Sequence, residues 1–136
     1  MADRDDGPAT VDRLLTTVDL DEEHSHERQL SVSARLEAVL ADGRRVLLLN
    51  DRGWSASGPP DLWARMSVEE IAATARDVVG PDEPAPGRTQ EEERSAHWDR
   101  LAGELHRNGV AVSGDELERL PHDIVLGEPL RRRLPA

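Results

Sequence analysis

The sequence predicts an α+β protein in which an N-terminal three-stranded antiparallel β-meander packs in two layers against two main C-terminal helices. From Leu30 to Leu40 apolar residues occupy every second position, which is the period of a half-buried β-strand. Between residues 67 and 108 apolar residues recur instead at spacings of three and four, which is the period of an amphipathic helix. Strands followed by helices are the order typical of α+β domains.

The chain length suits one domain. Its 136 residues fall within the usual size of a single hydrophobic core. Residues 1–9 contain Asp3, Asp5 and Asp6 without any periodic apolar positions, so we expect a disordered acidic tail there. Residues 10–136 are then expected to form a single α+β domain.

The three predicted strands are joined by polar or turn-forming segments. The first covers residues 11–20, where Leu14, Thr16, Val18 and Leu20 share one face, and the wholly polar segment 21–28 leads to the second. Asp42-Gly43 supplies the positive φ angles of a two-residue turn and predicts a hairpin between residues 29 and 50. The segment 50–53 is predicted to be a turn, and 55–60 a loop.

Two capping boxes mark the predicted helices. Ser67 with Glu70 starts a helix that Gly80-Pro81 stops, and Thr89 with Glu92 starts a longer one that ends at Asn108-Gly109. A brief helix is predicted for residues 113–120, and a last helical turn is predicted for residues 129–134. Between them, residues 124–126 form a short apolar run that is expected to be extended.

The hairpin carries a candidate interaction surface. With a two-residue turn, Val39 faces Val46 and Glu37 faces Leu48, on the side away from the Leu-rich face. That side is then partly apolar, and either the chain itself or a partner covers it. A longer turn would shift the register by one residue. Together with residues at the end of the last strand, the candidate interaction residues are Val39, Val46, Leu48, Asp51 and Trp54.

The connection between the first two strands contains the densest group of possible metal ligands. His24 and His26 are two apart and point the same way on an extended segment, with Glu22 as a third ligand. A solvated polar loop between two strands is the alternative explanation for the same residues.

Composition excludes several classes of function. There is no Cys, so disulfides, thiol catalysis and thiolate zinc sites are excluded. A net charge of −11 argues against nucleic acid as a ligand. No apolar run approaches the roughly 20 residues of a membrane span. All basic residues are Arg, a bias that indicates a high-GC bacterial genome, and we expect a cytoplasmic protein without a membrane partner.

The sequence favours a non-catalytic module that binds or regulates another protein. No nucleophile can be matched with a base and an orienting group, and there is no phosphate-binding Gly loop. One alternative is an immunity-type inhibitor that masks the basic site of a toxin or nuclease with acidic residues. Another is a small metal-dependent enzyme using His24 and His26, with a divalent metal as the one cofactor considered. A third is a homodimer formed through the sheet.

Overall fold

A computed structural model describes residues 10–135, and these form an α+β fold with a mixed four-stranded sheet and four helices. The strands are β1 (Val11–Leu20), β2 (Gln29–Leu40), β3 (Arg45–Ser57) and β4 (His122–Leu126). Their order in the sheet is β3-β2-β1-β4. The tail predicted for residues 1–9 lies outside the described residues.

The α+β class is confirmed, but the sheet is not a pure antiparallel meander. Strands β1, β2 and β3 pair antiparallel in chain order, as predicted. A fourth strand, formed by the apolar run near the end of the chain, pairs parallel with β1, placing Thr16 opposite Ile124. The chain returns to this edge only after three helices, because a parallel pair needs a long crossover connection.

Four helices follow the predicted starting signals closely. They are α1 (Val68–Val78), α2 (Gln90–Arg107), α3 (Gly114–Glu118) and α4 (Glu128–Arg133). The hydroxyls of the three N-cap residues, Ser67, Thr89 and Ser113, each accept the backbone N–H three residues on. Short 3₁₀ turns at Glu22–His24 and Trp63–Arg65 complete the secondary structure of this part of the chain.

The helices pack on one face of the sheet, which we call the helix face. Trp98, Leu101 and Leu105 of α2 lie against one half of this face. Ile71 and Ala75 of α1, together with α4, cover the other half. Trp54 of β3 contacts both groups of core residues. None of the described helices packs on the opposite face, which we call the open face.

The predicted hairpin register is wrong by one residue. Leu40 and Arg44 flank a three-residue loop, in which Gly43 has a φ of 92°. A left-handed residue closing a three-residue loop is a standard hairpin geometry. Val46 therefore pairs with Ala38 on the helix face, and Glu37 pairs with Leu47 instead of Leu48.

Strand β3 also runs further than predicted. The segment 50–53 lies inside the strand and is not a turn, and the strand continues to Ser57. The pairing shifts between Ala34 and Leu36 and again between Leu36 and Glu37, so β3 carries two bulges. The residues Asp51-Arg52-Gly53 favour a turn when considered alone. In the folded protein their pairing with β2, which the bulges accommodate, outweighs this local preference.

Candidate protein-binding site

The outer edge of β4 presents backbone groups that the sheet does not use. Two hydrogen bonds determine which residues of β4 bond to β1. The Leu14 N–H donates to the Pro121 carbonyl at 2.8 Å, and the Gly127 N–H donates to the Val18 carbonyl at 2.8 Å. In a parallel ladder, alternate residues of one strand bond to the same neighbour. The backbone of Ile124 and Leu126 therefore points away from β1, and no described group hydrogen-bonds to it.

A groove of about 290 Å³ runs beside this edge. It is lined by β4, by the first residue of α1 and by α4, through Val68, Ile124, Val125, Leu126 and Arg131. Val68 is 43% exposed and Val125 is 47% exposed. Two of the three large apolar side chains that are exposed in the described residues thus flank one free strand edge.

An arginine side chain lies near each end of β4. At the start of β4, the Nη2 of Arg76 donates to the His122 carbonyl at 3.2 Å and so occupies that end of the edge. At the other end Arg131 lines the groove, and no described carboxylate lies within 4.0 Å of it. The usable edge is therefore short, from Ile124 to Leu126, and Arg131 lies near its end.

The open face of the sheet is covered by its own charged side chains. Leu15 and Val39 are each only 6% exposed although none of the described helices lies over them. Arg13 pairs with Asp123 at 3.0 Å, and Arg45 lies 3.6 Å from Glu37. The aliphatic stems of such side chains cover apolar residues while the charged ends stay in water.

The structure does not bring the five predicted interaction residues together. Val46, Leu48 and Trp54 are partly buried against the core under the helices. Val39 lies on the open face between Arg13 and Arg45 of the neighbouring strands, and Asp51 is an exposed residue of the bulged strand. The assumed two-residue turn placed Val46 on the open face, and the observed three-residue loop moves it to the helix face.

The predicted metal ligands are likewise separated. His24 lies close to Asp21 and Glu23, with one ligand atom from each residue within 4.8 Å of the others. Glu22 is not in this group, and the Nδ1 of His26 instead accepts the Arg28 N–H at 3.2 Å. The 3₁₀ turn at Glu22–His24 brings residues three apart together, whereas an extended segment would align residues two apart.

His24 has a local explanation that requires no metal. Its Nδ1 donates to the Asp21 carboxylate at 2.8 Å. That hydrogen bond raises the pKa of His24 above its ordinary value, and the Asp21 charge adds to the effect.

The buried His97 and the partly buried Arg52 bind the carbonyl groups at the end of α1. The Nε2 of His97 donates to the Val79 carbonyl at 3.0 Å, and Arg52 donates to the Val78 carbonyl at 2.9 Å. Carbonyls at a helix C-terminus lack partners within the helix, so these contacts are structural. Burial lowers the pKa of His97, which is 1% exposed.

One Thr–His pair has the elements of a nucleophile and a base but lies in the core. Thr16 Oγ1 and His122 Nε2 are joined by a hydrogen bond of 2.7 Å. Thr16 is 0% exposed, so a substrate cannot reach its hydroxyl. The bond satisfies a buried hydroxyl, as buried polar groups require.

Another cleft is formed by the proline-containing loop that precedes α2. It measures about 540 Å³ and is lined by residues including Pro81, Glu83 and Arg94. Arg94 is already held by Glu118 at 2.8 Å and by Glu91 at 2.6 Å. The arginine that lines this cleft is therefore already paired.

The β4 edge is not among the sites predicted from the sequence. Its signal was present, because Ile124-Val125-Leu126 is an apolar run bounded by Pro121 and Gly127. A run of this length does not reveal which strand it joins, or whether its other side stays free.

Comparisons of the chain with protein-family models, curated proteins and solved structures found no match. None of the helices in residues 10–135 combines the length and apolar character that crossing a membrane requires.

Proposed function

We propose that this protein is a non-catalytic binding module that takes an extended segment of another protein as a fifth strand on β4. The observation that carries the proposal is the outward-facing backbone of Ile124 and Leu126 beside an apolar groove. An extended peptide satisfies such groups with its own main chain, and pockets for alternate side chains provide specificity.

The dimensions of the site support a weak, transient interaction. Upstream, Arg76 occupies the His122 carbonyl, so the free edge is only three residues long. Each added backbone hydrogen bond contributes about 0.5–1.5 kcal/mol net. Contacts of the partner's apolar side chains with Val68 and Val125 therefore supply much of the affinity.

The opposite edge of the sheet is less suited to the same role. Strand β3 is longer, but its two bulges interrupt the regular spacing of its backbone groups. Bulges on an edge strand twist it away from pairing with another chain. This contrast favours β4 as the site of strand addition.

A pair of substitutions at Ile124 tests the proposal. Both Ile124→Ala and Ile124→Pro remove the side chain, but only Pro removes the outward N–H, which the β1–β4 ladder does not use. Phage-displayed random heptapeptides are selected on the wild-type chain, and the enriched peptides are synthesised. We expect their affinity for Ile124→Pro to be roughly twofold to tenfold below that for Ile124→Ala.

Calorimetry gives the affinities, and circular dichroism confirms that both variants are folded. Equal binding of the peptides to the two variants would show that the β4 backbone is not used, and the proposal would fail.

Divalent-cation binding is a second candidate, favoured by the proximity of Asp21, Glu23 and His24. Because the pKa of His24 is raised, a proton competes with the metal near neutral pH. Zinc binding at this site should therefore strengthen as the pH rises from 6 to 8 and disappear in His24→Ala. Titration of an untagged chain with zinc decides this, and the absence of a stoichiometric binding event excludes the candidate.

A further inference from the structure

We infer that the segment added to β4 carries a single acidic side chain that pairs with Arg131. This inference rests on the proposed function and specifies the chemistry of the partner. The occupant is an extended peptide of another protein in which apolar residues contact Val68 and Val125 and a carboxylate lies near the end of the edge.

The first argument is that, of the C-terminal arginine triplet, only Arg131 has no ion-pair or ring partner among residues 10–135. Arg132 pairs with Glu128 at 3.4 Å. Arg133 lies over the ring of Trp63, with 4.9 Å between its guanidinium carbon and the ring centroid. Arg131 alone of the three lines the groove, and no described carboxylate is within ion-pair distance of it.

The second argument comes from the chain's overall charge. Acidic residues outnumber basic ones by 28 to 17, yet none of the described acids reaches this arginine. Arg131 is also exposed, so its guanidinium is accessible to a ligand. A guanidinium binds a carboxylate through two parallel hydrogen bonds, which fixes the partner's position as well as its charge.

The same net charge limits the partner to few acidic residues. At −11 the chain repels a strongly acidic segment at long range. One carboxylate on the partner can form an ion pair with Arg131. Further acidic residues would mainly add repulsion from the negatively charged chain. The fitting partner is therefore an apolar, strand-forming segment with one Asp or Glu.

The geometry also sets where that acid lies. Arg76 closes the upstream end of the edge through its bond to His122, so an added strand is confined to the half of β4 from Ile124 onward. Arg131 follows this half by one helical turn, since its N–H donates to the Gly127 carbonyl at 3.0 Å. The carboxylate is thus expected at the end of the segment that lies beside Leu126.

The experiment compares two synthetic heptapeptides that differ only in Glu or Gln at the acidic position of the enriched sequences. Affinities are measured for the full chain, for Arg131→Gln and for the control Arg132→Gln, whose arginine already has a partner. We expect Glu to bind wild type roughly twofold to fivefold more tightly than Gln, the range of an exposed ion pair.

This preference should vanish in Arg131→Gln and persist in Arg132→Gln. An equal preference for Glu in Arg131→Gln would overturn the inference, because the carboxylate would then bind elsewhere. Peptides that depend on the Ile124 N–H but show no acidic position would overturn this inference and leave the proposed function standing. If no selected peptide depends on that N–H, both fail.

Discussion

Replacement of Gly53 by Ala tests the finding that β3 runs through the segment predicted to be a turn. A Cβ at Gly53 would lie 2.5 Å from the main-chain oxygen of Val32 on the neighbouring strand. Ordinary contact begins near 3.4 Å, so the overlap is 0.9 Å. A backbone oxygen cannot rotate away as a side chain can, and the two strands must separate locally.

The expected magnitude follows from two opposing effects. Overpacking of this kind costs about 1–3 kcal/mol. Ala gains about 0.5–1 kcal/mol over Gly in a strand because it loses less conformational entropy on folding. Gly53→Ala should therefore lower the free energy of unfolding by about 1–2 kcal/mol.

Gly103→Ala is the matched control. Gly103 lies inside α2, and a Cβ there meets no atom within 4 Å. The same substitution should therefore stabilise the protein by about 0.8–1.0 kcal/mol through helix propensity. Urea unfolding followed by circular dichroism compares both variants with wild type. If Gly53→Ala also stabilises the protein, the close pairing of β3 with β2 at this position is wrong.

Two further predictions concern the core and the open face. Burial lowers the pKa of His97 in the folded protein, so the unfolded chain takes up a proton at this residue near pH 6.5 while the folded chain does not. The free energy of unfolding should therefore fall as the pH drops below about 6.5. Urea midpoints at pH 7 and pH 5 should differ less in His97→Gln than in wild type, and an unchanged difference would contradict this role. On the open face, Leu15→Ala should cost about 2–4 kcal/mol and Leu47→Ala less than about 1 kcal/mol, because Leu15 is 6% exposed and Leu47 is 43% exposed. Equal losses in urea unfolding would show that the charged side chains do not bury Leu15.

The helix starts could be predicted because their signals are local. At Thr89 and Ser113 the hydroxyl accepts the N–H three residues on, and the Glu side chain there returns the bond. Such contacts need only one helical turn, so four consecutive residues contain the information. The alternation in β2 was equally local and correctly indicated which residues meet the helices.

The hairpin register could not be predicted in the same way. Asp42-Gly43 is compatible with a two-residue turn and with the observed three-residue loop. The choice depends on which set of β3 residues packs under the helices, and that depends on the whole core. A shift of one residue reverses the face of every side chain, so the candidate interaction surface changed with it.

The same distinction between local signals and long-range packing applies to the candidate site. Local sequence patterns were sufficient to predict the α+β class, the helix starts and an apolar run at residues 124–126, because each depends on neighbouring residues. Long-range packing was needed to show that this run pairs parallel with β1, that no other described strand pairs with its outer edge and that Arg131 lies beside it. Those features join residues about 100 positions apart, and their relative positions are set by packing in the common core and not by local preference.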